Sequence, residues 1–262
     1  MRSTPRRDGA ELTACARRHR KARYFSACLY ACAAWALPHA VHAMHLSDGV
    51  LPGGSCLAWG VCAAACVTLA LLRFDRARLR DPQLAPLLAM LGAAVFAISC
   101  MPVPVPWVGT CSHPCGTGLA AILVGPVFTV LLTAVALLLQ ALFLAHGGLT
   151  TLGADIMSMG VAGGLAGYCI FHCGRRVGLS LFAAAFLAGV FADWATYATT
   201  ALELALGLGE PGARASLFGQ VGLAFAPTQL PLGLLEGALT GGALAFLHRR
   251  RPALLARLAA DV

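Results

Sequence analysis

The chain has 262 residues, of which 59% are hydrophobic and only 11% charged. That balance excludes an ordinary soluble domain and points to a polytopic membrane protein. The formal charge of +8 does not mark a nucleic-acid binder, because eight of the nineteen basic residues and two of the eleven acidic ones precede residue 44, leaving the remainder close to neutral.

The first stretch has the layout of a secretory leader. A basic run ends at Arg23, an apolar core covers residues 25–37, and Pro38 is followed by the small-residue pattern Val41-His42-Ala43, which predicts a signal peptide over 1–43 cleaved after Ala43. The apolar core is shorter than the ~20 residues of a comfortable span; an uncleaved N-terminal anchor is the alternative. Residues 44–262 then form one integral-membrane metal-binding domain.

Cleavage there makes Met44 the N-terminus and His45 the second residue. A free α-amine, the backbone nitrogen of residue two and its imidazole Nδ1 close a five- and a six-membered chelate ring on one ion. Three nitrogens in a plane suit Ni(II), Cu(II) and low-spin Co(II) better than Zn(II) or Mg(II). The open fourth position calls for another imidazole, and His113 is the best candidate.

Apolar segments of membrane length follow at 56–72, 84–100, 119–145, 152–171, 179–206 and 217–247. Arg73, Arg76, Arg78 and Arg80 separate the first two and belong on the cytoplasmic side, which places Met44 and His45 outside. The connection 101–118 has no Lys or Arg and returns to the side of His45. Six spans would leave Arg175, Arg176 and the run Arg249-Arg250-Arg251 outside as well, against the positive-inside rule. Seven spans restore parity, the extra crossing lying within 116–171, where Gly125-Pro126 permits a broken helix. The expected fold is an all-α membrane bundle of about seven transmembrane helices, with the N-terminal loop inserted into it. Gly60 and Ala64 offer a small-residue face for close helix packing.

Several polar residues stand out against this background. Cys111 and Cys115 flank His113 and would pair if oxidised or bind a softer metal if reduced, whereas Cys56, Cys62, Cys66, Cys100 and Cys169 lie in apolar segments without zinc-type spacing. The turn Gly116-Thr117-Gly118 allows close approach of an inserted N-terminal peptide. His146, before Gly147-Gly148, reads as a helix cap or a third imidazole, and His172 as a loop end. Asp155 is either a cap or a contact to the inserted loop. Asp193 with Tyr197, and Gln229 with Glu236, share helix faces as polar packing pairs.

The stretches Met44-His45 with Asp48-Gly49 and Leu51-Pro52, Gly109-Thr-Cys111-Ser112-His113-Pro114, Gly116-Thr-Gly118 and Ile122-Leu-Val-Gly125-Pro126 resemble the CbiM/NikM family. So do Leu144-Ala-His146-Gly147-Gly148-Leu-Thr150-Thr151-Leu-Gly153-Ala154, Met157-Ser-Met159-Gly160, and Thr228-Gln229-Leu-Pro231 with Glu236-Gly237. These are the cobalt and nickel substrate-binding components of energy-coupling-factor (ECF) transporters, and the likeness is to the cobalt-transporting CbiM type. The resemblance implies a metal site made of Met44, His45 and His113; Asp48, Cys111, Ser112, Cys115, Thr117 and Asp155 are expected as supporting residues around it. It also implies partners: a transmembrane coupling (T) subunit, two cytoplasmic ABC ATPases and a small accessory membrane subunit. Cys115 stands where the family usually has Thr, Asp155 where Asn is usual, and Gly164 where a Gly-Pro pair is common.

The expected function is therefore capture of Co(II) at the external face of the plasma (inner) membrane, supplying cobalt for cobalamin synthesis. The alternative is Ni(II) uptake by the same machinery, since planar nitrogen coordination suits both ions. ATP hydrolysis belongs to other chains: no G-x-x-x-x-G-K-[ST] pattern occurs, and the sole lysine is Lys21. An intramembrane metalloenzyme is the rival class, but H-E-x-x-H is absent and no catalytic acid follows from spacing. A passive channel or packing protein would make the Met44-His45 terminus accidental.

Overall fold

The computed structural model describes residues 45–101, 103–104 and 111–255. The expected leader, its cleavage site and Met44 lie outside them. So do the side chains of Cys111 and Ser112, whose backbone is described.

Six long helices carry the described chain: α1 (Gly53–Arg80), α2 (Leu84–Ser99), α3 (Thr117–Phe143), α4 (Leu152–Arg176), α5 (Leu181–Leu208) and α6 (Arg214–Arg250). All but α2 are long and apolar enough to cross a membrane. The only strands among the described residues are β1 (Val103–Pro104) and β2 (Cys111–Ser112), an antiparallel pair two residues long.

Local sequence explains the helix ends. Pro52 sits extended immediately before α1, a position where its missing N–H costs nothing. At the other end Asp81 precedes Pro82 and leaves the helical region, φ −131° and ψ 97°, as a residue before proline tends to. Arg73, Arg76, Arg78 and Arg80, expected in a loop, instead occupy the last turns of α1. Arg78 and Arg80 there complement the carbonyl end of the helix dipole. Ser180 caps α5 by accepting from the Ala183 N–H at 3.2 Å. Within α4, residues Ile156–Gly163 form a π-type segment.

The feature that shapes the bundle is a break in α3. Gly125 has φ 77° and ψ 164°, a conformation open only to glycine, and Pro126 restarts the helix at a point where no N–H is needed. A straight helix of 27 residues would separate its ends by about 40 Å. Yet the rings of His113 and His146, which flank α3, have centroids only 5.1 Å apart. α3 is therefore a helical hairpin. Its first limb (117–124) runs parallel to α4, Thr117 lying against Gly163 and Gly118 against Gly167; its second limb (126–143) runs antiparallel, Thr129 against Gly164 and Thr133 against Gly160. The broken helix expected within 116–171 is this hairpin.

Small residues let the remaining helices close on it. A Cβ at Gly189 of α5 would meet the Glu236 carbonyl oxygen at 2.8 Å, and one at Gly237 of α6 would meet the Phe186 carbonyl oxygen at 2.7 Å. Gly60 of α1 takes the expected packing role against Gly153 of α4. The interior holds Met159, Ala185, Leu123, Val130, Leu132 and Leu244. Leu57, Val61, Leu223, Leu234 and Phe246 remain exposed along α1 and α6, where an apolar solvent satisfies them and water would not.

Candidate metal site

Residues 45–50 form a short loop pinned to the turn between α3 and α4. The Leu46 N–H donates to Asp155 Oδ1 at 3.0 Å, and the Thr151 hydroxyl donates to the Leu46 carbonyl oxygen. Asp48 accepts from the Thr150 N–H at 2.8 Å and from its hydroxyl at 2.5 Å. Those two bonds hold the Asp48 carboxyl below the usual carboxylate range. Leu46 and Leu51 bury their side chains beside Ala154, so the loop has an apolar anchor as well as a polar one.

The glycines that make room for this loop are Gly147 and Gly148. Gly147 has φ 85°, and a Cβ there would stand 3.0 Å from His45 Cβ; a Cβ at Gly148 would meet the Asp48 backbone nitrogen at 2.5 Å. This corrects the expectation placed on Gly116-Thr117-Gly118. Gly116, at φ 71°, opens α3 beside Ile98, and Gly118 packs on Gly189 and Ala192 of α5; neither receives the N-terminal loop.

Under the loop three imidazoles converge. His45, His113 and His146 each offer a ring nitrogen, and those atoms lie within 4.8 Å of one another. Ring centroids are 4.7 Å apart for His45 and His113 and 5.0 Å for His45 and His146. His45 is 7% exposed and His113 1%, yet Nε2 of all three rings is buried without a hydrogen-bond partner. Buried polar atoms are ordinarily paired. Three buried imidazole nitrogens clustered this closely match the donor set of a first-row transition ion. Burial, with the neighbouring imidazoles adding to it, holds His45 well below the usual imidazole range. Burial followed by the proximity of His146 takes His113 down to about 4, and burial also lowers His146. All three are thus neutral, as ligands must be.

Surrounding contacts orient the rings. His113 Nδ1 lies 3.2 Å from the Pro114 carbonyl oxygen, which makes it the protonated nitrogen and leaves Nε2 free to ligate. His45 Nδ1 is 3.8 Å from Asp155 Oδ1. The Tyr197 hydroxyl donates to the His113 carbonyl oxygen at 3.5 Å. Gln140, buried at the close of α3, donates to the Ser99 hydroxyl at 2.6 Å and ties α2 to the floor of the site.

Of the residues expected at the site, His45, His113, Asp48 and Asp155 come together here. Asp155 contacts the inserted loop and is not a helix cap. Cys115 is a buried free thiol that joins Asp193 and Glu236 in a separate group. Thr117 is buried and its hydroxyl has no partner. His146, which reads from sequence as a helix cap or a third imidazole, is the third imidazole of the cluster. His172 lies inside α4 with Nδ1 2.9 Å from the Tyr168 carbonyl oxygen, not at a loop end. Glu203, which sequence reasoning passed over, is fully buried with both carboxylate oxygens unpartnered.

Residues 45–254 match the family model described as the cobalt uptake substrate-specific transmembrane region, CbiM. The chain belongs to the CbiM family. It is 63% identical over 215 residues to the cobalt transport protein CbiM of Sorangium cellulosum, covering 82% of this chain and 96% of that one. It is 56% identical over 217 residues to the protein of the same name from Geobacter sulfurreducens, covering 83% of this chain and 63% of that one. A solved structure, described as a truncated transition metal transporter, superposes with a TM-score of 0.69 at 26% identity, covering 79% of this chain and 99% of that one. CbiM relatives are transporters and not enzymes. The matched residues take in the loop, both limbs of α3 and all three histidines.

Proposed function

We propose that this chain is the metal-capture subunit of an ECF-type ABC importer for Co(II), serving cobalamin synthesis. The observation that carries the reading is the convergence of three buried, unpartnered imidazole nitrogens from His45, His113 and His146 beneath a loop pinned to α4. Cobalt is the transported substrate, held by nitrogen ligands in a pocket that keeps them neutral. Ni(II), which accepts the same donors, is the competing cargo.

Processing after Ala43 makes the Met44 amine a ligand beside the amide nitrogen and Nδ1 of His45, with His113 closing the plane and His146 standing by. The chelate uses Nδ1, which lies 3.8 Å from Asp155 Oδ1 and turns to the ion by rotation about the side-chain bonds of His45. Asp48 and Asp155 support the ligands by holding the loop that carries His45.

The reversal within α3 returns the chain to the side it entered from, which supports the parity expected from seven spans. An external N-terminus then leaves the arginines at the ends of α1, α4 and α6 on one side, as the positive-inside rule asks of the plasma membrane. The absence of a phosphate-binding loop from the sequence favours separate ATPases, with a T subunit and a small accessory subunit completing the importer.

The test is cobalt uptake with partner subunits present, comparing cleaved wild type, a form with one Ala before Met44 and a cleavage-blocked leader. N-terminal mass and metal content are measured on the same samples. Uptake by the cleaved form alone is expected. Normal uptake by a verified extended protein would overturn the amine-dependent site, and loading by nickel in preference to cobalt would reassign the cargo.

A further inference from the structure

We propose a second metal site, formed by Cys115, Asp193 and Glu236, which receives the cargo ion as it leaves the histidine cluster. The proposal rests on the capture reading for the identity of the ion, but its geometry is independent of it. The thiol sulfur and one carboxylate oxygen from each acid lie within 4.8 Å of one another. The three residues are 1%, 0% and 1% exposed.

Two observations distinguish this group from a packing cluster. Glu236 is fixed as an acceptor: its Oε2 takes the Cys115 N–H at 2.6 Å and its Oε1 takes the Gly116 N–H at 2.9 Å, leaving each oxygen a further lone pair. Asp193, by contrast, has both oxygens buried with no hydrogen-bond partner. An unpaired carboxylate inside a membrane bundle is expensive and marks function more often than packing. The two helices that carry the acids offer no cation to answer it: Lys and Arg are absent from residues 181–208 and 215–248. A divalent ion supplies the missing charge. One thiolate and two carboxylates, with water filling an open position, suit a first-row transition ion; the sulfur disfavours Mg(II) and Ca(II).

The position fits transit. Cys115 is two residues beyond His113, and Asp193 lies one turn before Tyr197, whose hydroxyl meets the His113 carbonyl oxygen. That turn leads toward the start of α5, where Ala184 packs against Gly174 beside Arg175 and Arg176. The ion therefore moves away from the loop end of the bundle by about one helical turn, roughly 5 Å. The close approach of Gly189 and Gly237 brings Asp193 and Glu236 onto facing helices. Here the Cys115 sulfur supplies a softness that an oxygen donor could not match.

Titration of the purified, full-length processed protein with CoCl2 in detergent, followed by absorption, tests this directly. The first equivalent is expected to bind without a sulfur signature. A second, weaker equivalent should bring in a thiolate-to-Co(II) charge-transfer band in the near ultraviolet. Cys115→Ser should remove that band, and Asp193→Asn should move it to at least about tenfold higher cobalt, the low end of what losing even a supporting ligand costs. Both changes are nearly isosteric, and unaltered binding of the first equivalent certifies the fold. His113→Ala should lose the first equivalent and keep the band. Absence of any sulfur band from wild type at several equivalents, or a band that survives Cys115→Ser, would overturn the second site while leaving capture intact. Failure of wild type to bind the first equivalent would instead overturn the capture reading.

Discussion

The Leu46 N–H donates to Asp155 Oδ1 at 3.0 Å, so the residue following His45 is fixed to α4 by a carboxylate 109 positions away in sequence. That bond, with the Thr151 hydroxyl on the Leu46 carbonyl oxygen, sets where the His45 backbone passes. Asp155→Ala should lower cobalt affinity by about 10–100-fold, the usual cost of losing a partner that orients a ligand. Asp155→Asn keeps an acceptor oxygen and should fall much less. Isothermal titration of both variants decides it; an alanine variant that binds like wild type would show that the loop is held by its apolar anchors alone.

His146 separates the three-imidazole cluster from the chelate alone. If its Nε2 contributes to the ion, His146→Ala should weaken binding by roughly tenfold and shift the cobalt d–d spectrum, with His113→Ala on the order of a hundredfold weaker or worse. The spectrum matters more than the affinity, because removing a bystander leaves ligand-field bands in place. An unmoved spectrum in the His146 variant would confine the ligands to residues 44, 45 and 113.

The loop was more legible in the sequence than its seat. Alternating apolar segments and clustered arginines reveal the helices and their sides, and a histidine in second place after a candidate cleavage site announces a chelate. Gly125-Pro126 reads as a break, but only the left-handed φ of Gly125 shows a reversal of direction, and that reversal is what brings His146 beside His113. A histidine preceding two glycines is locally indistinguishable from a helix terminus, so nothing within the sequence neighbourhood of His146 announces the third imidazole. Asp193 and Glu236 looked like packing pairs because each has an apt partner on its own helix. Their meeting with Cys115 depends on the Gly189–Gly237 approach, a long-range contact with no local signal.

Depressed histidines make the apo protein acid-sensitive. His113 falls from 6.5 to about 4 through burial, so below 6.5 the unfolded chain takes up a proton that the folded one refuses, and folding stability drops as pH falls. The shift corresponds to roughly 3 kcal/mol at 1.36 kcal/mol per unit, fully present above pH 6.5 and lost progressively toward about 4. Metal binding follows the same direction, since the free α-amine and imidazoles of the binding set must lose their protons. Thermal unfolding of the metal-free protein should therefore give a steady Tm above pH 7 and a falling one from about 6.5 to 5, less steep in His113→Ala. A Tm independent of pH over that range would contradict the burial of these rings.

The last prediction concerns the turn on which the loop sits. A Cβ at Gly148 would approach the Asp48 backbone nitrogen and Oδ1 at 2.5 Å and the Thr151 hydroxyl at 2.6 Å. The first of these is backbone and cannot swing aside, so Gly148→Ala must lift residues 46–50 or break the two Thr150–Asp48 hydrogen bonds. Either displaces His45, while His113 and the helices below keep their packing. Cobalt affinity should fall by at least about tenfold, with the unfolding temperature of the metal-free protein within a few degrees of wild type. Asp48→Ala, which removes the hydrogen bonds without adding bulk, should fall between the two. Limited proteolysis gives the structural readout: cleavage within residues 45–50 should accelerate in Gly148→Ala and slow again when cobalt is added in excess. If Gly148→Ala binds cobalt as tightly as wild type and resists the protease equally, the loop does not depend on this turn, and the seating of His45 must come from Asp155 and Thr151 alone.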